Sequence, residues 1–152
     1  MKQDIEKLQQ IVETYTPKLY GLDEKELRAK PRPEKWSRKE ILGHLIDSAQ
    51  TNIRRFVVGQ YEDLPMVVYK QDDWVAISNY QNYPTKDLIE LWALLNKHIC
   101  IVLANTAADA AQRKCATYAS EPQSIAWLAS DYIKHLLHHL HQVLDMEPIA
   151  YP

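Results

Sequence analysis

The chain has 152 residues, of which 46% are hydrophobic and 25% are charged, and this composition fits one globular domain spanning residues 1–152. The sequence contains only three glycines, which argues against a turn-rich β fold, and its formal net charge of −2 gives no basic surface for DNA or RNA. We therefore expect an all-α protein that binds no nucleic acid.

The first residues of the chain contain no signal-peptide core, because charged and apolar residues alternate there. No apolar run reaches the length needed to span a membrane. These features predict a cytoplasmic protein without a membrane partner. Cys100 and Cys115 lack a CxxC spacing, so we expect both to be reduced, buried thiols.

The first two of four predicted long helices lie in the N-terminal part of the chain. Helix one is expected from about residue 2 to residue 14, before Pro17. Helix two begins after Ser37, because Ser37 and Glu40 have the spacing of a capping box, and it ends near Gly59.

The other two long helices begin at residues that can accept hydrogen bonds from the first turn. Thr85, after Pro84, is the expected N-cap of helix three. Helix four is expected to begin at Ser120, with Pro122 in its first turn, and to end near residue 144. The apolar stripe of helix three consists of Leu88, Leu91, Trp92, Leu95, Ile99 and Val102.

Residues 60–84 form an unusually long connection between helices two and three. The segment has room for a short helix near residues 74–80. Its length allows helices two and three to run parallel, as they do in four-helix bundles with a crossover connection.

Three histidines are candidate ligands of a metal ion. His135 and His139 lie four residues apart on helix four, so their imidazoles occupy one side of that helix. His44 on helix two can supply a third nitrogen, and all three are expected at the boundary between buried and exposed surface. A site with three protein ligands keeps a position open for water or substrate, as catalytic sites do.

The same pattern has a simpler interpretation, since a single His-x-x-x-His pair is a weak signal and can belong to a solvated helix. His98, His138 and His141 are expected to be exposed and not to bind metal.

Several polar residues near the three histidines are candidate site residues. Asp131 and Asp47 are spaced to orient the imidazoles or to add a ligand, and Arg55 is a candidate for binding an anionic substrate. We expect a pocket lined by Ser48, Thr51, Arg55 and Asp131, in which Asp131 and Arg55 are the candidate catalytic residues.

Two segments carry a resemblance to a known family. Trp36-Ser37-x-x-Glu40-Ile41-Leu42-Gly43-His44-Leu45-x-Asp47-Ser48, followed by His135-x-x-x-His139-x-x-Gln142, resembles the DinB-like superfamily. This superfamily includes bacillithiol S-transferases and mycothiol-dependent maleylpyruvate isomerase. The resemblance implies an up-down-down-up four-helix bundle, often a homodimer, that binds a divalent metal ion through His44, His135 and His139.

The leading hypothesis is therefore a metal-dependent thiol S-transferase or hydrolase, in which zinc or nickel activates a thiol or water. Its substrate would be a small molecule, and a low-molecular-weight thiol is one candidate. Two alternatives stay open: a non-catalytic metal- or ligand-binding module, and a purely structural helical dimer. The absence of Glu-x-x-His and His-Glu-x-x-His motifs disfavours a di-iron carboxylate bundle and a zincin.

Overall fold

The computed structural model describes residues 1–151. Over these residues the chain forms six α-helices, two short strands that pair antiparallel, and two 3₁₀ turns. The helices are α1 (Lys2–Tyr20), α2 (Glu24–Arg28), α3 (Arg38–Val58), α4 (Gln71–Ser78), α5 (Thr85–Ala104) and α6 (Ile125–Val143). The strands are β1 (Lys114–Cys115) and β2 (Gln123–Ser124), and the 3₁₀ turns are Tyr80–Asn82 and Ala110–Gln112.

The four long helices, α1, α3, α5 and α6, form the predicted four-helix bundle. Helices α3 and α5 run parallel, because contacts join the residues before both helices and the residues after both helices. The Ser37 hydroxyl donates to the Gln81 side-chain oxygen at 2.9 Å. At the other end, the Gln60 amide donates to the Thr106 hydroxyl at 3.2 Å. The crossover between α3 and α5 is thus confirmed.

Contacts at the helix ends also give the directions of α1 and α6. Tyr15 near the end of α1 hydrogen-bonds His141 near the end of α6, at 3.0 Å, so these two helices run parallel. Arg38 at the start of α3 pairs with Asp145 just after α6, at 3.1 Å, so α3 and α6 run antiparallel. The result is the predicted up-down-down-up order, which packs α3 directly against α6.

One hydrophobic core joins the four helices, and Leu88, Trp92 and Ile99 of the predicted stripe of helix three are buried in it. Trp92 of α5, Leu45 of α3 and Leu136 of α6 are fully buried in it. Each fully buried side chain of this size contributes about 1.5–3 kcal/mol relative to its exposed state. This packing fixes the faces of α3 and α6 that meet, and therefore the positions of the polar side chains beside the core.

The start of α3 agrees with the sequence prediction. The Ser37 hydroxyl accepts from the Glu40 backbone N–H at 3.1 Å, and the Glu40 carboxylate accepts from the Ser37 N–H at 2.8 Å. The helix ends at Val58, with Gly59 as its C-cap. The capping box and the end of this helix are confirmed.

The predicted start of α6 at Ser120 is wrong. Residues 123–124 are extended, because they pair with residues 114–115 as β2 and β1. The N-cap is Ser124, whose hydroxyl accepts from the Trp127 backbone N–H at 3.1 Å. Pairing with a distant segment therefore overrides the local capping signal at Ser120 and Pro122.

Two other helix boundaries also differ from the prediction. Thr85 lies inside α5 and its hydroxyl donates to Glu24, while Pro84 occupies the N-cap position. Helix α1 continues through Pro17 to Tyr20, because burial of Leu19 offsets the backbone hydrogen bond that proline removes.

The crossover contains helix α4 and the first 3₁₀ turn, close to the expected short helix. Helix α2 and the strands β1 and β2 have no counterpart in the prediction. None of the helices in residues 1–151 combines the length and the apolar character needed to cross a membrane.

Candidate metal centre

Three imidazoles from two helices meet where α3 packs against α6. His44 comes from α3, and His135 and His139 come from adjacent turns of α6. One nitrogen atom of each ring lies within 4.8 Å of the corresponding atoms of the other two. His44 Nε2 and His135 Nε2 lie 3.2 Å apart. The structure thus brings together the three histidines that the sequence singled out.

The geometry of the three rings fits a metal ion. Two nitrogens bound to one tetrahedral zinc ion, each about 2.1 Å from it, are about 3.4 Å apart, and the His44–His135 distance of 3.2 Å is close to this value. The ring of His139 lies edge-on to those of His44 and His135, with centroids 5.0 and 4.5 Å away. Only modest ring movements would bring the three nitrogens into one coordination sphere.

His44 is more deeply buried than the sequence predicted. Its side chain is 1% exposed, whereas His135 and His139 are half-buried, as expected at the edge of the core. The aromatic rings of Trp36 and Tyr69 cover His44, with centroids 5.1 and 6.5 Å from its own. Both rings come from outside α3, so helical periodicity alone does not reveal this burial.

Burial favours the neutral form of all three imidazoles. Desolvation, with a smaller repulsion from His139, lowers the pKa of His44 to about 4. Desolvation together with repulsion from His139 and His44 lowers the pKa of His135 to about 2. Desolvation also lowers the pKa of His139, although its hydrogen bond to Gln142 opposes this shift. Neutral nitrogens are the form that binds metal ions.

Asp47 lies about one turn after His44 on α3, but its carboxylate is hydrogen-bonded to a residue outside the cluster. Its side chain is buried, and one carboxylate oxygen accepts the Tyr80 hydroxyl at 2.5 Å. The other oxygen has no partner among the described residues. Burial raises the pKa of Asp47 to about 6, although the Tyr80 hydrogen bond opposes that shift. No hydrogen bond joins Asp47 to a described imidazole.

Asp131 pairs with a residue that sequence reasoning missed. The Tyr151 hydroxyl donates to the Asp131 carboxylate at 3.0 Å. The Tyr151 ring lies edge-on to His135, with a centroid distance of 5.3 Å. Tyr151 follows α6 in a segment without regular structure, so no periodicity or motif marks it in the sequence. The Asp131–Tyr151 pair therefore lies beside the histidine cluster.

Hydrogen bonds to Val67 and Asn52 hold the Arg55 side chain in place. Its Nε and Nη2 atoms donate to the Val67 carbonyl at 3.1 and 3.0 Å, and Nη1 donates to Asn52 at 3.3 Å. Burial lowers the pKa of Arg55, whereas the nearby acidic groups Cys115, Tyr69 and Asp131 raise it. These three hydrogen bonds therefore fix the orientation of the guanidinium.

A cleft of about 1000 Å³ reaches the histidine cluster at His139. Trp36 and Ile41 form part of its apolar wall, and Gln142 also lines it. The expected lining was wrong for this cleft, because Ser48, Thr51, Arg55 and Asp131 are not among its residues. Ser48 and Thr51 are instead buried in the bundle.

The remaining histidines and the cysteines lie outside the cluster. His98 is exposed, as predicted, but His138 and His141 are half-buried and hydrogen-bonded to the carbonyls of Ile149 and Glu147. The expectation that both are exposed was therefore wrong. Cys100 and Cys115 are free and buried, as predicted.

Comparisons with known proteins identify relatives of this chain. A proposed metal-dependent hydrolase of Halalkalibacterium halodurans is 28% identical over 124 residues, which cover 79% of this chain and 70% of that protein. The structure of YfiT from Bacillus subtilis, a proposed metal-dependent hydrolase with an unusual four-helix bundle topology, matches with a TM-score of 0.81 at 18% identity. That match covers 95% of this chain and 86% of YfiT.

The fold is also similar to that of mycothiol-dependent maleylpyruvate isomerase, with a TM-score of 0.76 and 13% identity. The match covers 98% of this chain but only 61% of the isomerase. Residues 7–143 match the DinB superfamily, with both histidine-bearing helices inside the matched region. The chain therefore belongs to the DinB superfamily.

Proposed function

We propose that this protein is a metal-dependent enzyme of the thiol S-transferase or hydrolase type. In this proposal His44, His135 and His139 bind one divalent ion, and zinc or nickel is the expected metal. The observation that carries the proposal is the convergence of three ring nitrogens within 4.8 Å, from two helices and next to an open cleft. The lowered pKa values of the three imidazoles support it, because each neutral ring has one nitrogen with a free lone pair that can bind an ion.

The relatives support a small-molecule substrate. Two of them are proposed metal-dependent hydrolases, and a protein of similar fold is an isomerase that depends on mycothiol. We therefore propose a low-molecular-weight thiol as substrate or co-substrate. The cleft of about 1000 Å³ is large enough for a molecule of that kind.

A bound divalent ion would supply a Lewis acid that lowers the pKa of a water or a thiol beside it. The protein would hold three neutral nitrogens on one side and leave the side facing the cleft open. Trp36 and Tyr69 cover His44, so substrate would approach from the cleft at His139.

Asp131 and Arg55 are the proposed catalytic residues beside the metal ligands. Asp131 does not line the cleft, so it would accept the proton of the thiol or water from the side of the cluster next to His135, where the Tyr151 hydroxyl would hold its carboxylate in place. Arg55 would contribute positive charge that favours an anionic substrate group. The hydrogen bonds to Val67 and Asn52 would keep this charge in one position.

We also propose that the molecule is a single-domain, cytoplasmic homodimer, as the family resemblance implies. Light scattering coupled to gel filtration tests the oligomeric state. A mass of twice the 17.7 kDa of the chain supports the homodimer, and a mass of one chain contradicts it.

Metal-dependent stabilisation tests the proposed site. Zinc or nickel at about 100 times its dissociation constant should stabilise the fold by about 2.7 kcal/mol. For a chain of this size, that corresponds to a rise in Tm of roughly 5–11 °C. His44→Ala and His139→Ala should abolish the rise. His98→Ala is the matched control and should retain it, because His98 is exposed on α5.

The same experiment separates the proposal from its alternatives. A Tm that neither ion changes at any concentration would contradict the metal site and favour a structural helical dimer. If the ion stabilises the protein but a panel of thiols and electrophilic or hydrolysable substrates gives no turnover, a non-catalytic binding module is favoured instead.

A further inference from the structure

A chain of three hydrogen bonds connects the C-terminal segment to one of the candidate metal ligands. His138 Nδ1 lies 2.6 Å from the carbonyl oxygen of Ile149. His138 Nε2 lies 3.0 Å from the side-chain nitrogen of Gln142. The side-chain oxygen of Gln142 lies 2.8 Å from His139 Nδ1. The proposed function assigns no role to His138 or Gln142, and therefore none to these three hydrogen bonds.

The direction of the first hydrogen bond is fixed by the main chain. A carbonyl oxygen only accepts, so His138 must carry its proton on Nδ1. In the neutral ring Nε2 then has a lone pair, which accepts a hydrogen bond from the Gln142 amide nitrogen. The orientation of the Gln142 side chain is therefore set by His138.

The fixed amide in turn sets the tautomer of His139. With its nitrogen facing His138, Gln142 presents its oxygen to His139 Nδ1, which must carry a proton to donate. Nε2 of the neutral His139 ring then holds a lone pair, on the opposite edge from Gln142. The second nitrogen of a histidine is commonly fixed in this way when the first binds a metal ion.

The opposite orientation of Gln142 would lose the hydrogen bond to His138 and would give His139 the wrong tautomer for metal binding. Its oxygen would face the lone pair of His138 Nε2, and its amino group would face His139 Nδ1. His139 would then carry its proton on Nε2, the nitrogen that must be free to bind the ion. His138 thus excludes the arrangement that would block His139.

We infer that Gln142 and His138 are positioning residues, which hold His139 in the tautomer that leaves Nε2 free for the metal ion. This inference rests on the proposed function, in which His139 is a ligand. His44 has no equivalent device, because its Nδ1 atom is buried without a partner among the described residues. His139 differs from His44 in this respect, because side chains of its own helix set its tautomer.

The first test is the tautomer of His139 in the metal-free protein, read from long-range ¹H–¹⁵N spectra of ¹⁵N-labelled imidazoles. His138 and His139 are both expected with their protons on Nδ1. In Gln142→Met, which has a similar length but no hydrogen-bonding groups, His139 should populate both tautomers. A proton on Nε2 of His139 in the wild-type protein would overturn the inference. This outcome does not depend on whether the protein binds a metal ion.

The second test is zinc affinity, measured by competition with a chromophoric chelator. Gln142→Met should weaken binding about 10- to 100-fold, the usual effect of removing such a partner. Gln142→Glu should bind zinc at least as tightly as the wild type, because its carboxylate still accepts from His139 Nδ1. Lys134→Met, on an exposed position of the same helix, is the control and should leave the affinity unchanged.

The outcomes separate the two proposals. A wild-type protein that binds neither zinc nor nickel contradicts the proposed function, and the inference with it. Wild-type binding that Gln142→Met leaves unchanged contradicts the positioning role alone. If circular dichroism shows that Gln142→Met is unfolded, His138→Phe provides the same comparison, because it frees the Gln142 amide to turn. Unchanged zinc affinity in a folded His138→Phe would likewise overturn the inference.

Discussion

His44 and His135 are basic side chains that the fold keeps in their uncharged form. Burial is the largest cause of the lowered pKa values, and the mutual repulsion of clustered imidazoles adds to it. In the unfolded chain both residues return to a pKa of about 6.5. Folding is therefore coupled to the pH, even without a metal ion.

The metal-free protein should lose stability in acid. Between pH 6.5 and the folded pKa of about 4, the unfolded state binds a proton at His44 that the folded state does not. Each such histidine costs roughly 1.4 kcal/mol of stability per pH unit as the pH falls. Urea unfolding in the presence of a chelator should therefore show lower stability at pH 5 than at pH 7.

Asp47 has the opposite effect on the pH dependence of stability, because its folded pKa of about 6 lies above its unfolded value near 3.8. It stabilises the protein most at low pH and loses this contribution as the pH rises to about 6. One carboxyl group opposes three histidines with lowered pKa values, so the net loss in acid remains.

Substitution of His44 isolates its share of this pH dependence. His44→Gln should lose roughly 1.6 kcal/mol less than the wild type between pH 6.5 and 5, since glutamine does not titrate. His98→Gln is the control and should behave as the wild type, because His98 is exposed. An identical pH dependence in His44→Gln and the wild type would refute the assigned burial cost.

At the scale of the elements, α6 carries two of the three candidate ligands, and its start is set by β2. The Ser124 hydroxyl caps the helix, and pairing between β1 and β2 holds the residues before it extended. The oxygen of such a cap accepts a hydrogen bond from a backbone N–H group that has no partner within the first turn.

The two serines near the start of α6 give a direct test of this boundary. Ser124→Ala should destabilise the protein by about 1 kcal/mol, because it removes the hydrogen bond to the Trp127 N–H. Ser120→Ala should change the free energy of unfolding by less than about 0.5 kcal/mol, as expected for an exposed position. Chemical denaturation of both variants measures these values. A larger loss in Ser120→Ala than in Ser124→Ala would restore the boundary predicted from the sequence.

The helix boundaries show which structural information is local in this chain. The Ser37–Glu40 capping box needs only neighbouring residues, and it was predicted correctly. The signal at Ser120 has the same chemistry but fails, because residues 114–115 pair with the segment that follows it. The prediction that Thr85 is an N-cap fails for a similar reason, since its hydroxyl donates to Glu24 on α2.

At the scale of the whole molecule, the bundle and the histidine cluster follow from patterns along the helices. The four-residue spacing places His135 and His139 on one side of α6, and the bundle order places α3 beside it. The family resemblance joins His44 to that pair.

The surroundings of the cluster depend on contacts that no helical pattern encodes. Trp36 and Tyr69 bury His44, Tyr151 meets Asp131, and each comes from a segment outside α3 and α6. Gly43 is one signal in the sequence for a contact of this kind. A Cβ at Gly43 would lie 2.1 Å from the Tyr80 ring, so this glycine marks the close approach of the crossover to α3.

A zinc titration of the ¹⁵N-labelled protein, observed at its imidazole nitrogens, tests the central claim most directly. The three histidines of the cluster should change together and saturate at one ion per chain, while the exposed His98 stays unchanged. Saturation that alters His135 and His139 but leaves the His44 resonances unmoved would contradict a site shared between α3 and α6.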